Sequence, residues 1–352
     1  MDRVTRVDSQ PWWCPTTPTI ESVVSPEKPD RNLAIEIVRV TEAAAMAAAR
    51  WQGRGDKEAG DQAAVDAMRT VLDTVEIAGT VVIGEGEKDE APMLFNGEHV
   101  GTGSQPEVDI AVDPIDGTRL LAEGRSGALA VMAAAPAGTM FDPGPCVYME
   151  KLVVGAEAAD VIDLERPLED NLVAIAEAME RDIGDLTVVM LDRSRHEDAK
   201  RRIREAGARL QLITDGDVEA SIVAAWDQRP QVDVLYGIGG TPEGVITACA
   251  VKALEGRMLG RLWPRTDEER DAAVNAGYDL DQVLTEDDLV AADDCFISCT
   301  GITQGNLLRG VSFDRRGAST ESLVMRSKSG TVRVIQARHR LEKLRRYSAV
   351  TY

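Results

Sequence analysis

The chain has 352 residues, 44% of them apolar, which is enough for one large or two medium domains with a substantial core. Its 39 basic and 60 acidic residues leave a formal charge of −21, which opposes attraction to nucleic acid or anionic lipid. No stretch approaches the roughly 20 apolar residues of a membrane span, and no signal-peptide run follows Met1, so a soluble cytoplasmic protein without nucleic-acid or membrane partners is expected. Three histidines argue against a histidine-rich transition-metal centre and favour oxygen ligands, which suit Mg²⁺ or Mn²⁺. The scattered cysteines Cys14, Cys146, Cys249, Cys295 and Cys299 read as reduced thiols.

Residues 1–30 carry Pro11, Pro15, Pro18, Pro26 and Pro29 without apolar periodicity and read as a poorly ordered tail, complicated by the pair Trp12-Trp13. Apolar spacing then predicts a buried helix over 33–51 and a second over 63–75. Strands are expected at 80–83 and 108–112, each running into an acidic motif, and a third at 128–134. From residue 186 strands and helices alternate: strands at 186–191, 210–214 and 232–238, helices at 196–206, 218–226 and 242–254. That alternation predicts a largely parallel sheet with covering helices, an α/β architecture. Further strand-like runs follow residue 294. The coarse division is an N-terminal α+β part over 31–185 and a C-terminal α/β part over 186–352, two subdomains meeting at the strand ends.

Asp113-Pro114-Ile115-Asp116-Gly117-Thr118 places two carboxylates three residues apart at a strand end. Proline and glycine shape a tight turn able to aim both acids and a hydroxyl at one point, although the same residues also make a helix-capping turn. Glu85, in Gly84-Glu85-Gly86-Glu87, follows an apolar strand and projects from the sheet end or into a solvent loop. Gly239-Gly240-Thr241-Pro242-Glu243 opens a helix whose free amides suit a phosphate and whose Glu243 suits a cation or simply the helix dipole. Asp215-Gly216-Asp217 ends another strand, with Asp217 read first as an N-cap. Arg193-Ser194-Arg195 is either solvated surface or a phosphate clamp, and Lys57 and Asp61, four apart on a helix, either face one pocket or form a surface pair.

Two carboxylates about 4 Å apart repel by roughly 4 kcal/mol at an effective dielectric of 20, so convergence of these acids would require cations or raised pKa values. Two divalent ions roughly 4 Å apart can activate water and steady the leaving oxygen of a phosphoester, which is the logic of a phosphatase.

In their order along the chain, Gly53-Arg54-Gly55-Asp56-Lys57, Gly84-Glu85-Gly86-Glu87, Asp113 to Thr118, Asp215-Gly216-Asp217 and Gly239 to Gly244 resemble class II (GlpX-type) fructose-1,6-bisphosphatases. The resemblance runs from about Pro29 to the C-terminus. Its DPxDGT element is shared with the wider lithium-sensitive phosphatase superfamily, and the full combination is specific to the GlpX type. It implies a layered α-β-α-β-α sugar-phosphatase fold with a metal site between two subdomains. It also implies a homo-oligomer, dimer or tetramer, and the Mg²⁺- or Mn²⁺-dependent hydrolysis of the 1-phosphate of fructose 1,6-bisphosphate. By the same resemblance Asp61 and Glu85 hold one metal, and Asp113, Asp116 and Glu243 the other. Thr118 orients the attacking water with a nearby carboxylate accepting its proton, and Lys57 is an active-site lysine. Asp116, Gly117, Thr118, Tyr148, Arg193, Ser194, Arg195, Asp215, Gly216, Asp217 and Gly240 contact the sugar phosphate. Arg193-Ser194-Arg195 departs from the family by lacking a central proline. Sedoheptulose 1,7-bisphosphate and inositol phosphates are the alternative substrates, and a catalytically silent sugar-phosphate-binding regulator is the alternative of a different class.

Overall fold

The computed structural model describes residues 31–86, 93–227 and 231–352. The tail with Trp12 and Trp13, together with Cys14 and Glu87, lies outside the described residues. Asn32 accepts from the Ala34 amide at 3.2 Å and starts α1 (Leu33–Ala48). Asp56 accepts from the Ala59 amide at 3.0 Å and starts α2 (Lys57–Leu72), six residues ahead of the predicted start, because the cap precedes the apolar spacing. The alanines of α1 leave little side chain to separate it from its neighbours, and it is buried on nearly every side.

β1 (Ala78–Ile83), β2 (His99–Val100), β3 (Glu107–Asp116), the short helix α3 (Thr118–Glu123), β4 (Leu129–Pro136), β5 (Tyr148–Val154) and α4 (Leu168–Ala178) follow. The expected alternation is present as β6 (Thr187–Leu191), α5 (Glu197–Ala206), β7 (Arg209–Ile213), α6 (Val218–Ala224), β8 (Val234–Gly240), α7 (Thr241–Leu254) and β9 (Arg257–Leu262). After it come α8 (Asp267–Asn275), β10 (Leu284–Thr285), α9 (Glu286–Leu289) and β11 (Phe296–Gly301). The chain closes with β12 (Ser312–Asp314), β13 (Gly317–Arg326), β14 (Thr331–His339) and α10 (Leu341–Tyr347).

Among the described residues the strands form two sheets. The first has the order β12-β13-β11-β4-β3-β1-β2 with β14 also paired to β13, and its ladders are antiparallel except β1 with β3. The second has the order β10-β9-β5-β8-β6-β7. It corrects the expectation of a largely parallel sheet. Strands β6 to β9 do run in one direction, as successive βα units require, but β5 arrives from the first sheet and inserts between β8 and β9 the opposite way. Parallel ladders remain only at β6/β7 and β6/β8. Sheet membership therefore changes at Tyr148 and changes back at Phe296.

Side-chain alternation along the strands separates three apolar cores. Ile110 and Met132 of the first sheet pack with Ile37, Met46 and Met68 of α1 and α2. Their chain neighbours Ala111 and Val131 face the other way, toward Ile222 of α6, Ile246 of α7 and Met149 and Val153 of the second sheet. The far face of the second sheet, with Leu152 and Val188, packs on Leu172 of α4 and Ile203 of α5. Cys146, Cys249, Cys295 and Cys299 are buried free thiols.

Candidate active site

Asp113 pairs with Val131, but Asp116 pairs with Leu129, so three steps along β3 are set against two along β4. Positions three apart on a regular strand point to opposite faces. The bulge at Pro114-Ile115 returns Asp116 to the side of Asp113, and both line one cleft of about 400 Å³. The two acids thus sit on a bulged strand end, with Asp113 Oδ1 accepting from the Ile115 amide at 3.0 Å, rather than on a single turn. The turn comes one residue later at Gly117, whose φ of 88° is left-handed and disfavours a side chain.

That turn starts α3 and aims Thr118 at α2. The Thr118 hydroxyl donates to Asp61 Oδ1 at 3.1 Å, with the Ile115 carbonyl at 3.3 Å as a second acceptor. Burial pushes the Asp61 carboxyl up to about 6, against the opposing pull of the Thr118 hydrogen bond and the Lys57 charge. Lys57 itself is exposed at the first residue of α2 and reaches the cleft only through that field.

The two sheets exchange helix caps at the cleft. Asp116 Oδ2 accepts from the Val218 amide at 3.2 Å, at the start of α6, while Asp215 Oδ2 accepts from the Arg119 amide at 3.1 Å, in the first turn of α3. Asp217 holds the N-cap position of α6 but makes no side-chain cap. Its Oδ2 instead pairs at 2.8 Å with Nζ of Lys151, whose side chain is 0% exposed in the middle of β5. The N-cap reading of Asp217 is therefore corrected: Asp116 does the capping because Lys151 draws the Asp217 carboxylate away.

Glu243 lies in the first turn of α7. Side chains at Gly239 and Gly240 would collide with the carboxylates of Asp217 and Glu243 respectively, so the two glycines make room for these acids. Burial raises the Glu243 pKa, Lys151 holds it back and Asp217 adds to the rise. Burial likewise pushes Asp113 and Asp116 well up, reinforced on Asp113 by Asp116, Glu243 and Glu85 and on Asp116 by Asp217 and Glu243. Burial and then the charges of Asp61 and Glu243 push Glu85 up to about 7; since Glu85 is exposed at the rim, the neighbouring charges are the more durable cause.

Positive charge enters from the second sheet. Arg193 Nη1 donates to the Thr214 carbonyl at 2.6 Å and Nη2 pairs with Asp215 Oδ1 at 3.1 Å. Arg195 donates Nε and Nη2 to the Ile238 carbonyl at 3.2 and 2.6 Å, and its guanidinium lies 4.9 Å from the centroid of the Tyr148 ring. Between them in the fold, His196 is buried, its Nε2 accepting from the Ile238 amide at 2.8 Å. Nδ1 therefore carries the proton and donates to the Leu191 carbonyl at 2.8 Å, a neutral bridge that fixes the arginine loop to β8. Ser194 is exposed and does not line the cleft.

The structure thus brings Glu85, Asp113, Asp116, Gly117, Thr118, Tyr148, Arg193, Arg195, Asp215, Gly216, Asp217, Gly240 and Glu243 to one cleft, with Asp61 joined through Thr118. Among the described residues no three His, Cys, Asp or Glu side chains stand in a ready-made coordination shell, which fits the mutual repulsion of the carboxylates. Glu243 Oε2 and Asp217 Oδ1 are buried without hydrogen-bond partners among the described residues. Hard, unshared carboxylate oxygens in a cluster short of cations fit a hard divalent cation. Sequence reasoning missed Lys151. Its signal was a lysine inside Met149-Glu150-Lys151-Leu152-Val153-Val154, a strand not recognised as one.

A family model described as bacterial fructose-1,6-bisphosphatase, glpX-encoded, matches residues 31–339. The chain is 48% identical over 326 residues to fructose-1,6-bisphosphatase 1 class 2 of Escherichia coli (strain K12), a match that covers 89% of this chain and 96% of the relative. The class 2 fructose-1,6-bisphosphatases of Escherichia coli O6:H1 and Shigella flexneri are similar to it at the same 48% identity and coverage.

Proposed function

This chain belongs to the glpX-encoded bacterial fructose-1,6-bisphosphatase family, and from that premise we propose that it hydrolyses the 1-phosphate of fructose 1,6-bisphosphate to fructose 6-phosphate and phosphate, the gluconeogenic reaction. The observation that carries the reading is that acids from both sheets line one cleft with Thr118, two arginines and Tyr148, while Thr118 is joined to Asp61. Asp61 and Glu85 would hold one divalent cation, and Asp113, Asp116 and Glu243 a second, Mg²⁺ or Mn²⁺. When bound, such ions supply charge neutralisation at the phosphoryl oxygens and a more acidic water.

The protein's own groups do the rest. Because the Thr118 hydroxyl proton is committed to Asp61, its lone pairs remain to accept from a water and point that water's oxygen at phosphorus. Asp61, which accepts from that hydroxyl, is placed to take the Thr118 proton as the water passes its own to Thr118. Arg193 and Arg195 with Tyr148 hold the sugar phosphate, and Gly240 leaves its backbone open to it.

The layered α-β-α-β-α arrangement belongs to the same reading. It is supported by the three successive cores, with α1 and α2 outside the first sheet, α6 and α7 between the sheets, and α4 and α5 outside the second. The DPxDGT element supports placement in the lithium-sensitive superfamily. Family resemblance supports a homo-oligomer, dimer or tetramer, in the cytoplasm; among the described residues no helix is long and apolar enough to cross a membrane.

The test is phosphate release with Mn²⁺ from fructose 1,6-bisphosphate, sedoheptulose 1,7-bisphosphate and inositol 1-phosphate. The fructose ester should be the best substrate, and Thr118→Ala should lower its kcat by about 10²-fold or more with a smaller change in KM. An inositol phosphate turned over as well as the fructose ester would overturn the substrate assignment, and an undiminished Thr118→Ala enzyme would overturn the role of Thr118.

A further inference from the structure

The donors that the cleft offers a phosphate are fewer than its arginines suggest. A guanidinium has five N–H groups. Arg193 spends donors on the Thr214 carbonyl and on Asp215, and Arg195 spends Nε and Nη2 on the Ile238 carbonyl. A substrate with two phosphates brings a second dianionic group into a cleft already rich in carboxylates. On the reading above, cations held at Asp113 and Asp116 would serve the scissile end, which would leave the distal phosphate to fixed cations from the second sheet.

A third cation stands at the edge of the cleft, beyond the residues that line it but against the ring of one of them. Trp263, just past β9, donates its amide to the Tyr148 carbonyl at 2.9 Å and packs edge-on against the Tyr148 ring at 6.4 Å. Pro264 then brings Arg265 against the same ring, its guanidinium 5.4 Å from the centroid. The start of α8 holds it in place. Thr266 caps the helix by accepting from the Glu269 amide at 3.2 Å, while the Glu269 carboxylate takes the Arg265 amide at 2.8 Å and Nε at 2.7 Å. Only the Nε and Nη2 edge of the guanidinium is committed to Glu269, which leaves Nη1 free to donate. Roughly half exposed at 49% while its partner Glu269 is at 16%, Arg265 is anchored at one edge and open at the other.

We propose that Arg265 is a specificity-determining residue that, with Arg195, grips the distal phosphate of the substrate at the Tyr148 ring. The proposal rests on the sugar-bisphosphatase reading above. Arginine suits the task because its planar fork can share one edge with a carboxylate and present the other to phosphate while lying on an aromatic face. A sugar monophosphate carrying only the scissile group leaves Arg265 nothing to hold.

Steady-state kinetics of the metal-loaded enzyme on fructose 1,6-bisphosphate and on fructose 1-phosphate test this. In Arg265→Met, which keeps an apolar stem on the ring, KM for the bisphosphate should rise on the order of tenfold with kcat within threefold, the loss of about one charge-assisted hydrogen bond. The kcat/KM for fructose 1-phosphate should fall by less than about threefold, and Arg265→Lys should recover part of the bisphosphate KM. Equal losses on both substrates would reduce Arg265 to a support for Tyr148, and an unchanged KM for the bisphosphate would remove it from the site; either result overturns the proposal. A wild-type enzyme inactive on the bisphosphate would refute the parent reading instead, before any variant is compared.

Discussion

The end of the first sheet and the end of the second sheet both bring buried acids to the cleft, and they solve the problem of buried charge in opposite ways. Asp113 and Asp116 on β3 lie close together with no lysine or arginine among the described residues paired to either, and their pKa values rise. Asp217 and Glu243 at the second sheet share the fully buried Lys151, which pairs with one and holds back the burial-driven rise in the pKa of the other. One half is left short of positive charge and, on the proposed reading, would be completed by cations from solution; the other carries its counter-ion in the sequence. A metal-dependent site therefore need not be uniformly acidic, since part of its scaffold can be balanced in advance.

Neutralising the uncompensated half should give the largest effect. Asp113→Asn should cut kcat by about 10³-fold or more by removing a proposed cation ligand, yet raise the melting temperature of the metal-free protein, since a buried repulsion disappears. Phosphate release and thermal melts in EDTA check both, and a destabilised metal-free variant would show that Asp113 is compensated after all.

The compensated half should respond with the opposite sign. Lys151→Met leaves Asp217 buried without its partner and should cost about 3–5 kcal/mol in denaturant unfolding. Adding Asp217→Asn to it should return part of that loss, a coupling that a mere packing defect would not show.

The smallest effect is the pH dependence of the metal-free protein. Asp61 and Glu85 are raised from ordinary values of 3.8 and 4.5 to about 6 and about 7 in the folded chain. Between those limits the native state binds more protons than the unfolded one, so stability should fall as pH rises from about 4.5 to 7. Melts with and without Mn²⁺ should differ by only a few degrees at pH 5 and more at pH 7.5, because the ion replaces the protons. Metal binding followed calorimetrically in buffers of different ionisation enthalpy should release protons near pH 6; no release would mean that these carboxyls are already ionised.

α1 and the βα units from β6 to α7 were legible because each carries its own apolar run in contiguous sequence, and in α1 and α7 that run is buried on nearly every side. β5 was not, because its run mixes Glu150 and Lys151 with apolar residues, and what keeps the lysine there is Asp217, 66 positions away. The acids of the site were visible as motifs at strand ends, and the family resemblance assembled them. The bulge that aligns Asp113 with Asp116 was invisible, since it is defined by pairing with Val131 and Leu129 of β4. Arg265 stood outside every motif because its link to the cleft runs through Tyr148.

His196 has a consequence for how the substrate end meets changing conditions. It is the residue between the arginine loop and β8, and burial lowers its pKa, so it stays uncharged through the neutral range. The number of positive charges presented to phosphate therefore does not drift with physiological pH, as it would if an imidazolium stood beside Arg195. Acidification deep enough to protonate it would first take the acceptor from the Ile238 amide and loosen the backbone on which Arg195 rests, so on this side of the cleft acid would act as a mechanical disturbance rather than as added charge.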